Sequence, residues 1–463
     1  MSKKVKYTKL ELMDKVPVRK AIITLAIPTI LSQCLTLMYS MVSAYCLGQM
    51  GDSAQMAAVT LAMPVTMGIQ AIGNIFATGT SPYLSRKLGA KEFDAAKRAS
   101  SVSFYTAFMI SAFTTILFFI FREPLLNIIG TNEETIGPTR TYITIITGFS
   151  FTNVLMVALS GTVRSEGGTR ESMIGMGGGG VVNCILTPLF IFVFDWGIAG
   201  AAWAAVGAHV FTLVYFLSIF ARKKSNLSIS LKDFKPSWEI YKSILKFGVP
   251  MAANNILTSV GGILCNRVAN AEFGTAAVAA YGITNRMYQI AYMLNFGFCL
   301  GYQPFAAYNY GAKNYDRMLH ALKISLIYST CIGCTVALLF AVIPTPLMHI
   351  FSSDPKAIEV GVPMLRALAF SAPFLGCQNA FMYTLQGLDL PSRSMIISIG
   401  RYGLFIPILY LFTGAFGFNG FRFSLPTADL TIAAIAAAIT IPLVLKLKRG
   451  TWVRKEDRYK TRA

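Results

Sequence analysis

Five charged residues stand among apolar neighbours in this 463-residue chain: Arg267, Arg286, Arg401 and Asp429, with Glu272 close to the end of a run. All fall in the second half. A charge at bilayer depth is costly and marks an ion or substrate pathway by default. Asp429 is the one carboxylate well inside an apolar run of that half, so it is the candidate for ion coupling, with Arg286 and Arg401 as alternating partners. A carboxylate that moves between an apolar site and a guanidinium changes its hold on a proton. A structural ion pair tying helices together explains the same residues, and the sequence leaves both readings open. Arg286 and Asp429 each lie about nine residues into their runs, roughly 13 Å at 1.5 Å per residue, so they are level and able to pair.

The first half has lost these charges. His209 is its ionisable residue at depth, beside the polar Gln33 and Ser43. Gln33 and Asn255 each follow a proline, Pro28 and Pro250, by the same interval. With Asn266 they form a candidate lining, of helix–helix hydrogen bonds or of a substrate passage. No catalytic set emerges. His209, His320 and His349 fall in different regions, and no Gly-Lys-Ser phosphate loop is present. An enzyme, a resident metal and an organic cofactor are therefore not expected.

The elements that position these residues are helices. The chain is 54% hydrophobic and only 13% charged, where a soluble protein of this size is nearer a quarter charged. Apolar runs of about 20 residues, enough to cross a bilayer, recur without the alternation of membrane strands. Six spans are expected at about 21–47, 56–84, 99–121, 136–163, 172–194 and 198–220. Six more follow at about 246–271, 277–308, 319–342, 358–386, 394–416 and 421–445. The third should stop at Arg122-Glu123-Pro124. Residues 1–20 then form an N-terminal segment, 21–220 a six-helix lobe, 221–242 a linker, 243–445 a second lobe, and 446–463 a basic tail.

The halves are copies. Gly79–Asp94 and Gly301–Asp316 align without a gap at an offset of 222 (301 − 79), sharing Pro82/Pro304, Gly89/Gly311 and Lys91/Lys313. The same offset pairs Pro124-Leu125 with Pro346-Leu347 and Ser172-Met173 with Ser394-Met395. An even number of spans per copy gives both lobes one orientation, related by a pseudo-twofold axis along the membrane normal. Two such lobes around a cleft suit a carrier that works by rocking.

The net charge of +20 reads as topology, not nucleic-acid binding. Of 41 Lys and Arg, 33 fall in alternate segments: the N-terminus, the tail, and the loops near Arg86–Arg98, Arg164–Arg170, Arg222–Lys246, Lys313–Lys323 and Arg393. This excess puts both termini in the cytoplasm. The eight cysteines lie in apolar runs and are expected to pack, Cys331 and Cys334 included. Gly177–Gly180 in the fifth span permits close helix contact or a bend.

The chain resembles the multidrug and toxic compound extrusion family. The likeness runs from about Ala21 to Leu445. It rests on Leu25-Ala26-Ile27-Pro28 with Gln33, the two Gly-Ala-Lys loops, Arg164-Ser165-Glu166-Gly167, and Asn266-Arg267 before Phe273-Gly274. Ala280-Tyr281-Gly282-Ile283 leading to Arg286, Arg401 before Phe405-Ile406-Pro407, and Pro426-Thr427-Ala428-Asp429 complete it. The resemblance implies a monomeric antiporter in the inner membrane of a prokaryote that expels small organic cations in exchange for H⁺ or Na⁺. Many members carry an aspartate where Ser43 stands, and some an acid where Thr258 stands. The alternative is a flippase for lipid or lipid-linked oligosaccharide on a similar two-lobed scaffold, which the arginines of the second half would suit.

The charge bias makes a topological prediction. Single cysteines introduced near Ser53 and Asp354 should react with an impermeant maleimide in intact cells, and Ser225→Cys should not. Labelling of Ser225→Cys in intact cells would contradict the orientation.

Overall fold

The structure is a computed structural model and describes residues 8–50 and 52–451. Residues 1–7 of the expected N-terminal segment, Gly51 in the first turn and 452–463 of the basic tail lie outside the described residues. The described chain is helical throughout. In order the helices are α1 (Lys9–Asp14), α2 (Val18–Gly48), α3 (Ser53–Gly89), α4 (Phe93–Ile129), α5 (Ile136–Gly148), α6 (Ser150–Ser165), α7 (Thr169–Pro188) and α8 (Gly197–Ala221). Then come α9 (Trp238–Gly311), α10 (Tyr315–Val342), α11 (Pro344–His349), α12 (Pro355–Ala369), α13 (Ala372–Gly387) and α14 (Pro391–Lys448).

Eight of these are long and apolar enough to span a membrane, and α5–α6 and α12–α13 are bent pairs that do so together. α9 and α14, of 74 and 58 residues, exceed any bilayer, and each contains one break. Gly274 (φ 78°, ψ −175°) and Gly417 (φ 56°, ψ −133°) take backbone angles that glycine alone adopts cheaply. Each break makes a hairpin. Tyr281 packs against the buried cluster that holds Cys265, sixteen residues back, where a straight helix would hold the two about 24 Å apart. Two spans per hairpin restore the twelve that the hydropathy pattern demands.

The repeat is written in the backbone as well as in the side chains. Positive φ recurs at the 222-residue offset: Lys91 (62°) with Lys313 (60°), Gly167 (86°) with Asp389 (57°), and Asp195 (55°) with Gly417 (56°). The bends match too. α5 meets α6 at 49° across Phe149, and α12 meets α13 at 46° beside Ser371, the position equivalent to Phe149. The third span departs from expectation. α4 runs through Pro124 to Ile129, with Phe121 non-helical just ahead of the proline. Proline disrupts the turn before it, so Phe121 absorbs the strain, and burial of Leu126 against Ala62, Phe118 and Ile143 draws the helix onward.

By packing, the chain forms two compact units: 24–252 with the chain up to Leu12, and Met13–Ile23 with the chain from Ala253 on. In the first unit the glycine run of α7 serves close packing. Cβ atoms at Gly177 and Gly180 would meet Leu35 and Tyr39 of α2, and at Gly178 and Gly179 would meet Phe211 and Thr212 of α8. α7 ends in one π-helical turn, Leu189–Val193, directly after Pro188. Asp52 caps α3, and the Gln55 side chain accepts from Ile198 N at 2.8 Å at the start of α8. In the second unit, one apolar cluster gathers around Leu409 and Phe421, another around Leu365 and Leu375. Cys331 and Cys334 are exposed on α10, so packing inside the chain does not account for them.

Gly161 of α6 is one site of close helix approach in the first unit. A Cβ there would lie 2.5–2.9 Å from the backbone of Ala77 on α3. Backbone cannot yield as a side chain can, and overpacking of this kind costs about 1–3 kcal/mol. Gly161→Ala should therefore lower the thermal unfolding temperature in detergent, whereas Gly68→Ala, with open space around it, should not. Equal stability of the two variants would refute this packing.

Candidate functional site

Asp429 and Arg401 meet at the centre of the second unit. They lie 28 residues apart on the two arms of the α14 hairpin, which folds back at Gly417. Arg401 Nε donates to Asp429 Oδ1 at 2.7 Å. The second arm of α9 supplies the third member: the Tyr288 hydroxyl donates to Asp429 Oδ2 at 2.5 Å and accepts from Arg401 Nη2. Both carboxylate oxygens and two edges of the guanidinium are thus occupied. Asp429 is fully buried and Arg401 almost so.

An aromatic cage completes the site. The guanidinium carbon lies 5.5 Å from the ring centre of Tyr288, 5.0 Å from Tyr292 and 5.1 Å from Tyr402. Ring faces attract a cation most strongly where water is excluded. Tyr288 and Tyr292 are four residues apart and share a helix face, so both rings reach Arg401 from one arm. Tyr402 belongs to a buried apolar cluster with Cys265, Phe405, Leu409, Phe421 and Ala428. Chemically, the arrangement holds one negative and one positive charge that a single proton would unbalance.

Arg286 takes no part. It is exposed on α9, and among the described residues nothing hydrogen-bonds or ion-pairs with it. At about 100° per residue, positions 286 and 288 point some 160° apart, so the rotation that buries Tyr288 turns Arg286 outward. The expected partnership of Arg286 with Asp429 is therefore not formed in this structure; Arg401 and Tyr288 fill both carboxylate oxygens. Arg286 and Asp429 each follow a hairpin glycine, Gly274 and Gly417, by twelve residues. Arg267, Glu272, Asn266 and Thr258 are exposed, and Asn255 is half-buried.

The first unit has two uncharged polar pairs at depth. Ser43 Oγ donates to Asn183 Oδ1 at 2.7 Å, and Thr187 Oγ1 reaches the same oxygen at 3.3 Å. His209 Nε2 lies 3.3 Å from Asn153 Nδ2, which joins α8 to α6. Gln33 is half-buried on α2. A buried acid that chain order does not reveal is Glu166, between α6 and α7. It takes Lys9 Nζ at 2.7 Å, Ser225 Oγ at 3.1 Å and Asn226 N at 2.9 Å, and so ties the N-terminal helix and the 221–242 linker to the first unit.

Tyr288, Tyr292, Tyr402, Asn183 and Asn153 went unidentified in the sequence. Tyrosine within an apolar helix reads as core, and asparagine there reads as helix-helix bonding. The available signal was Tyr402 adjoining Arg401, with two further tyrosines one turn apart in the hairpin preceding it.

Comparison with known proteins places the chain. The MatE family matches residues 28–189 and 250–411, two segments offset by the same 222 positions as the repeat. The multidrug export protein MepA of Staphylococcus saprophyticus is 30% identical over 431 residues, 93% of this chain and 95% of that protein. MepA of Staphylococcus aureus is 28% identical over 436 residues. Among solved structures, an outward-facing multidrug resistance MATE family transporter of the MOP superfamily superposes with a TM-score of 0.90 at 22% identity. It covers 96% of this chain and 100% of its own. A MOP superfamily transporter from Pyrococcus furiosus gives a TM-score of 0.89 with the same coverage. The chain belongs to the MatE family of multi-pass membrane transporters, which are not enzymes.

Proposed function

We propose that this chain is a secondary active multidrug efflux transporter. It exports small organic compounds, cations foremost, across the cytoplasmic membrane of a prokaryote in exchange for H⁺ or Na⁺ by alternating access. Both termini lie in the cytoplasm, and the working unit is a monomer. Export of drugs is supported by the MepA proteins, which match nearly the whole chain.

The observation that carries the coupling mechanism is the buried Asp429 with Arg401 and Tyr288 on its two oxygens. A proton arriving on Asp429 cancels its charge. Arg401 then loses its anionic acceptor and is held by Tyr288 Oη and the ring faces of Tyr288, Tyr292 and Tyr402. An uncompensated buried guanidinium is costly, so the protein shifts toward a packing that gives it another acceptor. The α14 hairpin carries both charges and has a glycine at its turn, which suits it to move between two packings. Release of the proton restores the pair. A sodium ion at the carboxylate would act through the same loss of charge on Arg401's partner.

Two experiments test this. In everted vesicles, Asp429→Asn should abolish ethidium accumulation driven by either an H⁺ or a Na⁺ gradient, while the purified variant still binds ethidium. Normal transport under both gradients at all external pH values would make Asp429 structural and leave Gln33, Ser43 and His209 as the better coupling candidates. Arg401→Met should cost about 3–5 kcal/mol by leaving the carboxylate buried without its cation, and adding Asp429→Leu should recover most of the loss. Thermal unfolding in detergent reads both; a double variant no more stable than the single one would show that the pair does not hold the second unit together.

A further inference from the structure

From the end of α8 to the first turns of α9 the chain is strongly basic. Residues 222–246 carry seven Lys and Arg against two acids, Asp233 and Glu239, a net charge of +5 (7 − 2). All seven basic side chains are exposed. Among the described residues none of the seven forms an ion pair. The turns at the far ends of α8 and of the first arm of α9 differ. They hold the acids Asp195 and Glu272, with no Lys or Arg within four residues of either.

The segment is held in place, and what holds it is its backbone. Ser100 Oγ donates to the Ser228 carbonyl at 2.7 Å, Ser101 Oγ to the Ser230 carbonyl at 2.7 Å, and the Tyr105 hydroxyl to the Ile229 carbonyl at 3.0 Å. Leu227 is buried, and Phe234 packs edge-on to the Tyr105 ring at 5.5 Å. The segment thus lies along the start of α4. Two large apolar side chains nevertheless stand out among the charges: Leu231 is 69% exposed and Trp238 72%. α4, α8 and α9 are all membrane spans. A segment that joins the ends of two spans and lies along a third stays in the head-group layer. Tryptophan is enriched in that layer, and basic clusters next to a span attract anionic lipid. A soluble acidic partner would match the charge, but it would leave Leu231 and Trp238 unexplained at the membrane surface.

We propose that residues 222–238 are a docking surface for anionic phospholipid. Arg222, Lys223, Lys232 and Lys235 meet the head-group phosphates, and Leu231 and Trp238 enter the leaflet between them. The surface lies wholly within the first unit. It depends neither on the exported compound nor on the coupling ion.

The probes are phosphatidylglycerol and phosphatidylcholine brominated on the same acyl chains. Each is added at equal mole fraction to the full-length protein in dodecyl maltoside. Bromine quenches tryptophan fluorescence on contact, and the difference between wild type and Trp238→Phe isolates the Trp238 signal. Phosphatidylglycerol should quench Trp238 at a lower mole fraction than phosphatidylcholine. Each basic residue near an anionic surface contributes about a fivefold change in partitioning. Replacing Arg222, Lys223, Lys232 and Lys235 together by Gln should therefore weaken phosphatidylglycerol at least about tenfold and leave phosphatidylcholine unchanged. Thermal unfolding without added lipid checks that the variant is folded. In wild type, about 0.5 M NaCl should remove the preference by screening. Equal quenching of wild type by the two lipids would overturn the proposal and leave the patch to water or an acidic soluble protein. A preference that survives the four substitutions or the salt would overturn it as well.

Discussion

A guanidinium and a carboxylate enclosed by apolar helices must satisfy each other, and much of the second unit is arranged around that requirement. Removing both charges from water costs several kcal/mol per ion after relaxation, and only near-complete hydrogen bonding offsets it. Arg401 and Asp429 reach this through Tyr288, which bonds to both, and through three ring faces. The surrounding backbone makes room. A Cβ at Gly261 would press within 3.1 Å of the Tyr402 ring, and one at Gly400 within 2.9 Å of Ile432. The small residues beside the charges therefore fix where the cage can stand.

The two copies of the repeat have solved the same position differently. The equivalents of Arg401 and Asp429 in the first unit are Gly179 and Gly207. A Cβ at Gly179 would lie 2.0 Å from Thr212 Oγ1, and one at Gly207 would lie 2.8 Å from Leu186. Where the second unit places an ion pair, the first brings helices into direct contact. Its polar groups at depth, Ser43 with Asn183 and Asn153 with His209, make neutral bonds between α2 and α7 and between α6 and α8. Shared backbone bends thus frame a charged interior in one copy and an uncharged one in the other.

The scaffold was largely legible from residue type and spacing. Twelve spans, the repeat and the placing of Asp429 and Arg401 as charges at depth follow from apolar run length, a fixed offset and the cost of buried charge. What escaped depends on rotation about helix axes and on the partners chosen. Arg286 and Arg401 look alike in sequence, yet one residue of phase decides which faces inward. Tyr288 and Tyr292 fit an apolar stripe as well as they fit a cation cage. The end of α4 was misplaced because Pro124 signals a stop, while the burial of Leu126 beyond it outweighs that signal. The bend at Phe149 has no proline or glycine at its corner; its position becomes visible only against the matching corner at Ser371.

The order of the site's residues along the chain also matters during synthesis. Arg401 leaves the ribosome 28 residues ahead of Asp429, a lag of about 1–6 s at 5–20 residues per second. The carboxylate is absent for that interval, but Tyr288 and Tyr292 have already been made. Their rings and hydroxyls give the incoming arginine a reception site before its counter-ion exists, and Asp429 then closes the second unit as one of the last elements to enter the membrane. Truncation between Phe416 and Asp429 would therefore leave Arg401 against its ring faces without a counter-ion.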